Sequence, residues 1–282
     1  MQNINTNFIQ RHCCPVCNNP KELPFYSIPY DDKNIISYLK NFYEPQGKIE
    51  FNYLKNVDYS LIKCGVCKLI YQEFVPNDEL LEILYESWID PEKAFERNGN
   101  LGLEYRLLRF NEIIQVLDYF EKEPNQLSVL DFGMGWGSYC KQLLSLDMNV
   151  FGAELSEKRI TNAKKYGIQV LNWEEIPKMD LDFINTDDVF EHIVQPNLLL
   201  NHLVKGLKKG GVIKISVPNG IVYSKAIKAM NWSAERGAEL NLNGVSPLEH
   251  INCFFPDSLR ELAKSNGLSE ISISINRQIK LK

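Results

Sequence analysis

Short apolar runs alternate with longer amphipathic stretches from Leu127 onward. The apolar runs are rich in β-branched and aromatic residues, which is typical of buried strands. They are SVLDF (128–132), NVFGAE (149–154), IQVL (168–171), LDFINT (181–186) and GVIKISV (211–217). The apolar spacing between them predicts helices at about 138–146, 155–166 and 197–208. This alternation predicts βαβ units, and therefore an α/β fold with a doubly wound parallel sheet and helices on both faces.

The flanking segments have other patterns. NDELLEILYESW (77–88) predicts a helix capped by Asn77, with Tyr85 and Trp88 as candidates for an aromatic lid, and a second helix follows at about 103–122. PEKAFERNGNLG predicts a polar connection with a turn at its Asn-Gly pair. Past the last strand, PDSLRELAKSNG predicts a helix, followed by LSEISISI and the short run QIKLK. We therefore expect a small module at 1–76, a helical linker or lid at 77–126 and the α/β domain at 127–282.

Composition and charge argue against some classes of protein. The chain has 282 residues and a net charge of −5, which disfavours a nucleic-acid partner. No apolar run approaches the ~18–20 residues that cross a bilayer. The first residues, MQNINTNFIQRH, lack the apolar core of a signal peptide. We expect a cytoplasmic protein with no membrane partner, whose seven cysteines are reduced.

Three glycines follow the first of these strands at every second position. Gly133, Gly135 and Gly137 give the spacing G-x-G-x-G, whereas a dinucleotide site has G-x-G-x-x-G. Asp131, two residues before the first glycine, would repel a pyrophosphate but suits a ligand with an ammonium group. Glu154 ends the second strand, where a carboxylate can accept hydrogen bonds from both ribose hydroxyls. The pattern predicts a nucleoside with a zwitterionic tail, and S-adenosylmethionine fits this description.

Four segments of this region resemble class I S-adenosylmethionine-dependent methyltransferases. They are VLDFGMGWG, VFGAELSEK, DFINTDDVFEHI and LKKGGVIKISVPN, with HINCFFPDSLRELAKSNGL as a weaker fifth, and together they cover roughly 127–275 in the family's order. The resemblance implies a Rossmann-like fold and methyl transfer from S-adenosylmethionine. The family's last antiparallel strand has only NRQIKLK to form it here, so we expect the sheet to be one strand short.

The same resemblance implies which residues hold the cofactor. Asp131 would bind the amino group of the methionine portion, Glu154 would hold the ribose, and Asp188 would face the cofactor and the substrate. Asn172 and Trp173 would lie beside the adenine. The other expected cofactor-binding residues are Gly133, Met134, Gly135, Gly137 and Leu155.

Two Cys-x-x-Cys pairs lie in the first 76 residues. In a reducing compartment, Cys14, Cys17, Cys64 and Cys67 predict a structural zinc site of four thiolates. Two unrelated free pairs or a redox dithiol are the alternatives. The stretch between the pairs, residues 18–63, is longer than the ~15–20 residues of compact zinc ribbons, so we expect an insertion there.

The charge of residues 1–76 bears on what such a module does. Zinc modules occur in some methyltransferases of ribosomal RNA and in some that modify nucleotide-linked sugars. Eight basic residues stand against seven acidic ones here, whereas RNA binding needs a basic surface. The resemblance to the sugar enzymes covers only the cysteine pairs. The chain lacks the long C-terminal extension of the sugar C-methyltransferases, which disfavours C-methylation.

Transfer to an oxygen needs a group that removes the hydroxyl proton, ideally with a pKa near neutrality. His250 is the first candidate for this base and His192 the second, since each stands beside an acid, in LEHI and FEHI. Alternatively, Asp188, Glu191 and His192 are spaced to share a helical face. Some methyltransferases of the ubiquinone pathway and of small-RNA ends hold a divalent metal with a similar group.

The sequence therefore favours an enzyme that methylates a hydroxyl of a small molecule, such as a sugar, a glycan precursor or a secondary metabolite. An RNA methyltransferase that grips RNA with its zinc module is the second hypothesis. A non-catalytic partner protein that keeps the cofactor fold is the third. The identity of the acceptor and the oligomeric state are left open by the sequence.

Overall fold

The computed structural model describes residues 5–45, 47–90, 93 and 102–272. The chain forms two compact units, and each is assembled from separate stretches. The first unit contains residues 1–100, 191–196 and 218–265. The second unit contains residues 101–190, 197–217 and 266–282. The three-part division expected from the sequence stays a prediction.

The described strands and helices are numbered in chain order. The strands are β1 (Phe8–Gln10), β2 (Tyr26–Pro29), β3 (Asp58–Lys63), β4 (Ile70–Gln72), β5 (Phe74–Pro76), β6 (Ser128–Phe132), β7 (Asn149–Ala153), β8 (Gln169–Val170), β9 (Leu181–Asp187), β10 (Leu207–Ser216) and β11 (Asn252–Cys253). The α-helices are α1 (Lys33–Tyr43), α2 (Asp78–Ile83), α3 (Leu103–Phe120), α4 (Ser138–Leu144), α5 (Glu157–Lys165), α6 (Pro196–Val204), α7 (Gly220–Ala229) and α8 (Pro256–Ser265). Short 3-10 turns lie at Phe51–Leu54, Pro124–Gln126, Ile176–Lys178, Phe190–His192 and Asn243–Val245.

A parallel sheet forms the centre of the second unit, with the strand order β10-β9-β6-β7-β8. Strand β9 is buried at six successive positions, from Leu181 to Thr186. Such continuous burial is expected of a strand that helices cover on both faces. The α/β fold and the parallel sheet expected from the sequence are confirmed.

The boundaries of these elements follow the sequence pattern closely. Strand β6 occupies the predicted residues, and the other four strands lie within a few residues of their predicted runs. The helix predicted at about 197–208 ends earlier, at Val204, because strand β10 already begins at Leu207. Among the described residues the sheet has five strands. The polar connection with its Asn-Gly turn and the terminal run QIKLK lie outside the described residues.

The first unit has two antiparallel sheets. One has the strand order β11-β4-β3-β2, and the other pairs β1 with β5. Their core contains many buried aromatic rings, including Tyr30, Tyr43 and Tyr59. Large rings of this kind bury much apolar area per residue, which stabilises a unit built from short strands.

Helix α2 begins as predicted, because the Asn77 side chain accepts a hydrogen bond from Leu80 N at 2.9 Å. The helix continues as a π-helical turn, Leu84–Trp88. Trp88 is only 1% exposed and packs edge-on against the Tyr43 and Tyr53 rings, with centroids 6.1 Å away in both cases. This burial contradicts the prediction that Trp88 is part of a lid, since the side chain belongs to the core of its own unit.

No helix within the described ranges combines the length and the apolar character that crossing a membrane requires.

Candidate functional site

The glycine loop, residues 133–137, turns the chain from β6 into α4. Gly133, Gly135 and Gly137 have φ values of +75°, +54° and +73°, a region in which a side chain would be strained. A Cβ on Gly135 would meet no atom within 4 Å, so the loop leaves open space at its middle. Met134 is buried, and its N–H donates to Ala153 O at 3.1 Å. The backbone at Gly135 is therefore uncovered by side chains, and the loop is anchored to β7.

Asp131 lies in β6, directly before this loop, and is buried. Its carboxylate accepts hydrogen bonds from Asn185 Nδ2 at 2.7 Å and from Cys140 Sγ at 3.6 Å. Burial raises the pKa of Asp131 to about 6, although the hydrogen bond from Asn185 opposes the shift. Burial makes the ionised form of this carboxyl group unfavourable. A cation placed beside it would therefore stabilise the ionised form strongly.

Glu154 follows β7 and faces the glycine loop. Its Oε2 accepts a hydrogen bond from Gly135 N at 3.0 Å, and its Oε1 accepts from Leu155 N and Ser156 N at 3.0 and 3.1 Å. Arg159 Nη1 lies 3.6 Å from the same carboxylate. Backbone donors thus orient the carboxylate next to the loop, and its role as the ribose acceptor stays a prediction.

The other expected cofactor residues lie at the ends of strands. Leu155 is 97% exposed, and Asn172 N donates to Glu175 Oε2 at 2.7 Å. Trp173 is 44% exposed and stacks on the His202 ring, with centroids 3.5 Å apart and planes within 4°. Asp188 follows β9 with φ +51°, and its N–H donates to Ser216 O at 3.0 Å.

A charged network at the end of β9 was missed by the sequence argument. Asp187 forms an ion pair with Arg109 of α3 and lies 3.8 Å from Lys214 Nζ of β10. Glu112 bonds both cations, at 3.0 Å to Arg109 and 2.8 Å to Lys214. The adjacent acids in NTDDVF mark this strand end in the sequence, but only the fold supplies the basic partners.

A second candidate site lies within the first unit and consists of Glu191, His192 and His250, here called the Glu–His–His cluster. One ligand atom from each residue lies within 4.8 Å of the others. The two imidazole rings are 4.8 Å apart and nearly perpendicular, and His192 Nε2 is 3.9 Å from Glu191 Oε1. The structure therefore joins Glu191 and His192 to His250, whereas the sequence argument joined them to Asp188.

Hydrogen bonds fix the ring of His192. Nδ1 is 2.9 Å from Glu249 O, which can only accept, so Nδ1 carries the proton and Nε2 has the free lone pair. His250 interacts through its ring with the backbone carbonyl of Asn243. Among the described residues, the buried Nδ1 of His250 has no hydrogen-bond partner. Each ring therefore keeps one nitrogen as an acceptor, in a cluster where Glu191 is buried and both histidines are partly buried.

Burial keeps both rings neutral. It lowers the pKa of His192 to about 4, and burial together with the neighbouring His192 lowers the pKa of His250 to about 3. Both shifts lead away from a histidine that ionises near neutrality, and the assignment of a histidine as the base stays a prediction. The neighbouring Glu249 has a pKa that burial raises to about 7, and it accepts a hydrogen bond from Tyr43 Oη at 2.7 Å.

The four-cysteine cluster brings Cys14, Cys17, Cys64 and Cys67 together. All four sulfurs lie within 4.8 Å of one another, and the Cys14–Cys67 and Cys17–Cys64 Sγ distances are both 3.5 Å. These sulfurs are free thiols, not disulfides. The spacing is close to the ~3.8 Å edge of a sulfur tetrahedron around zinc, given Zn–S bonds of ~2.3 Å. The two pairs found in the sequence therefore meet at one point.

Comparison with known proteins assigns the family. The model of the family described as "Methyltransferase domain" matches residues 105–273, which is more than half of the chain. The chain belongs to the methyltransferase domain family. It is an S-adenosylmethionine-dependent methyltransferase.

Two curated relatives are each described as a ubiquinone biosynthesis O-methyltransferase. The protein of Nitrosomonas europaea is 24% identical over 203 residues, which is 67% of this chain and 80% of the relative. The protein of Pelagibacter ubique is 26% identical over 197 residues, which is 65% of this chain and 80% of the relative. These levels of identity make both proteins distant relatives.

Two solved structures have lower sequence identity to the chain than these two relatives. The plantazolicin methyltransferase BamL, solved with a desmethylplantazolicin analogue and S-adenosylhomocysteine, has a TM-score of 0.48 and 21% identity, over 65% of this chain and 70% of that one. The related BpumL has a TM-score of 0.43 and 20% identity, over 57% of this chain. The chain covers 64% of BpumL, just under two thirds of its length.

Proposed function

We propose that the protein transfers the methyl group of S-adenosylmethionine to a hydroxyl oxygen of a small molecule, such as a sugar, a glycan precursor or a secondary metabolite. The Glu–His–His cluster is the observation that carries this proposal. A neutral amine needs no base before it attacks a methyl sulfonium, whereas an alcohol must lose its proton. The O-methyltransferase activity in the names of the distant relatives agrees with an oxygen acceptor.

We propose for the cofactor residues the roles that the sequence argument gave them. Asp131 would bind the ammonium group, and the buried carboxylate with its raised pKa supports this role. Glu154 would exchange its bond to Gly135 N for the ribose hydroxyls. The remaining proposed cofactor-binding residues are Gly133, Met134, Gly135, Gly137, Leu155, Asn172, Trp173 and Asp188.

His192 and His250 are the proposed catalytic residues, but as ligands and not as bases. Two neutral imidazoles and a carboxylate, each with one possible ligand atom within 4.8 Å of the others, fit a divalent cation. Glu191 would complete the protein ligands. Such a cation lowers the pKa of an acceptor hydroxyl when it is bound.

The remaining chemistry requires positioning more than reactive side chains. The sulfonium already makes the methyl group electrophilic, so the enzyme gains rate by aligning the acceptor oxygen with the S–CH3 bond and by excluding water. Asp131 and Glu154 fix the two ends of the cofactor and thereby the position of its sulfur. The acceptor hydroxyl, with its pKa lowered at the Glu–His–His cluster, would lose its proton to solvent before its oxygen attacks the methyl group.

The four-cysteine cluster would hold a structural zinc ion. The four sulfurs fit the tetrahedral spacing, and a site closed by four thiolates leaves no position for a substrate. Such a site would stabilise the folded protein and would take no part in the methyl transfer. Four thiols this close also suit a reducing compartment, so we propose a cytoplasmic location.

The test is methyl transfer from isotopically labelled S-adenosylmethionine to a panel of methyl glycosides, catechols, small amines and RNA. We expect an alkali-stable ether on a hydroxyl compound, detected as a labelled mass increase of one methyl group. Asp131→Asn is the matched control that should remove turnover through the cofactor site. Transfer to RNA or to amines alone would contradict the proposal.

A further inference from the structure

The first unit contains a cavity of about 610 Å³, whose lining includes none of the residues proposed above for the cofactor or the Glu–His–His cluster. One wall is helix α1, and the other is the segment from Trp232 to Asn243 that follows α7. This size lies within the ~300–1,000 Å³ range of small-molecule sites. The cavity lies wholly within one unit, so its shape depends on that unit alone.

Helix α1 presents two adjacent stripes. Ile35, Leu39 and Tyr43, spaced by four, are buried in the core. The neighbouring stripe lines the cavity and consists of Asn34, Ser37, Tyr38, Asn41 and Phe42. This spacing of i, i+3, i+4, i+7 and i+8 places all five residues on one helical face. The buried stripe therefore fixes the orientation of the cavity wall.

Aromatic rings form the apolar part of the cavity. The Tyr38 and Phe42 rings are nearly parallel, at 10°, with centroids 6.5 Å apart. The Trp232 ring stands at 83° to Tyr38, 5.5 Å away, and its Nε1 donates to Tyr26 Oη at 2.8 Å. These contacts hold the rings in place without a ligand, so their faces are preorganised.

Polar groups surround these rings. The Asn34 and Asn41 side-chain amides make no hydrogen bond to another residue of the described chain, so their donors and acceptors are available. The guanidinium of Arg236 lies over the Phe42 ring, 5.1 Å from its centroid, and Glu235 precedes it. The cavity lining thus combines hydrogen-bond donors, acceptors, one positive and one negative side chain. A polyanionic ligand would need a mainly positive lining, so this cavity does not favour one.

We infer that this cavity binds a hexosyl ring as part of the methyl acceptor. A saturated sugar ring has C–H faces that pack on aromatic rings and hydroxyls at its edge that match paired donors and acceptors. A planar phenol would use the rings and leave the amides without partners. The inference rests on the proposed function and names its substrate class.

The position of Asn243 supports the link to the acceptor. This residue lines the cavity, and its backbone carbonyl interacts with the ring of His250. The Tyr38 hydroxyl also donates to Ser246 Oγ at 3.3 Å, in the segment that leads to Glu249 and His250. A sugar in the cavity would therefore lie beside the loop that carries His250.

The experiment measures sugar binding separately from turnover. Saturation-transfer NMR on the full chain with S-adenosylhomocysteine present would use the methyl glycosides of glucose, galactose, mannose and N-acetylglucosamine as probes. We expect at least one to bind, and Asn41→Ala and Arg236→Ala each to weaken it about five- to tenfold. Lys40→Ala on the same helix and Arg260→Ala on α8, both exposed and outside the cavity, should leave binding unchanged.

Each other outcome is informative. Sugar binding that survives both cavity variants, or catechol binding that is lost in the same way, would overturn the inference. Methylation of a non-sugar hydroxyl with no glycoside binding would also overturn it but would leave the proposed function standing. Glycoside binding that the cavity variants abolish, in a protein that methylates only amines, would support the cavity and reject the proposed oxygen acceptor.

Discussion

The carboxylate of Glu154 accepts a hydrogen bond from the backbone N–H of Gly135, across 3.0 Å. This bond connects the end of β7 to the middle of the glycine loop, where the positive φ of Gly135 brings the backbone into reach. The same carboxylate oxygens are the proposed acceptors of the ribose hydroxyls. Cofactor binding and loop position are therefore linked through one side chain.

Replacing Glu154 tests this link. Glu154→Ala removes the acceptor of both ribose hydroxyls, and we expect at least about a hundredfold loss of affinity for S-adenosylhomocysteine, since hydrogen bonds to a charged group contribute ~1.5–3 kcal/mol. Isothermal titration calorimetry is the measurement. Glu157→Ala, in the first turn of α5, is the control and should bind normally. Unchanged affinity in Glu154→Ala would remove this residue from the site.

The raised pKa of Asp131 predicts a pH-dependent cofactor affinity. Burial raises this pKa to about 6, so the carboxyl group of the free protein is protonated below pH 6 and ionised above it. Only the ionised form attracts the ammonium group. Affinity for S-adenosylhomocysteine should therefore rise with pH through about 6 and level off above 7, with about tenfold weaker binding at pH 5 than on this plateau.

Asp131→Asn provides the control for this pH profile. The amide has nearly the shape of the carboxyl group but cannot ionise, so the variant should bind weakly and with a flat profile between pH 5 and 8. A profile in the variant that matches the native one would assign the ionisation to another group. Calorimetry at each pH measures both proteins.

The parallel sheet could be predicted from the sequence because local patterns determine it. Each strand is a short apolar run that the sequence shows directly. Asp131, the three glycines and Glu154 stand at or just after the ends of such runs, so their positions in the fold follow from the strands. The four cysteines could be predicted to meet because zinc chemistry requires it, and the sulfurs do lie within 4.8 Å of one another.

The Glu–His–His cluster could be predicted only in part. Glu191 and His192 are neighbours in sequence, but His250 joins them only through folding of the first unit, which takes residues from three separate stretches. The same folding buries Trp88 and lowers the pKa of both histidines. Burial is a property of the whole unit, so residue types and spacing did not indicate it.

Zinc content and stability test the four-cysteine cluster. We expect one zinc ion per chain in protein purified without added metal, measured by elemental analysis. Cys64→Ser should lower the zinc content and the melting temperature, because a zinc ion held by these thiolates would contribute folding free energy. Cys13→Ser is the matched control, since Cys13 is exposed and lies outside the cluster. Four thiols that react freely in the native protein, together with no zinc, would contradict the site.

Removal of a divalent cation tests the Glu–His–His cluster. If His192 and His250 act as ligands, a chelator should reduce methyl transfer by about 10²–10⁴-fold. Added Mg²⁺ or Mn²⁺ should restore it, while affinity for S-adenosylhomocysteine stays unchanged. His250→Gln should imitate the chelated enzyme and resist rescue, because an amide can keep the contact with the Asn243 carbonyl but is a poorer ligand. His12→Ala, at an exposed position, is the control. A variant with full activity and no need for a cation would show that proximity alone drives the transfer.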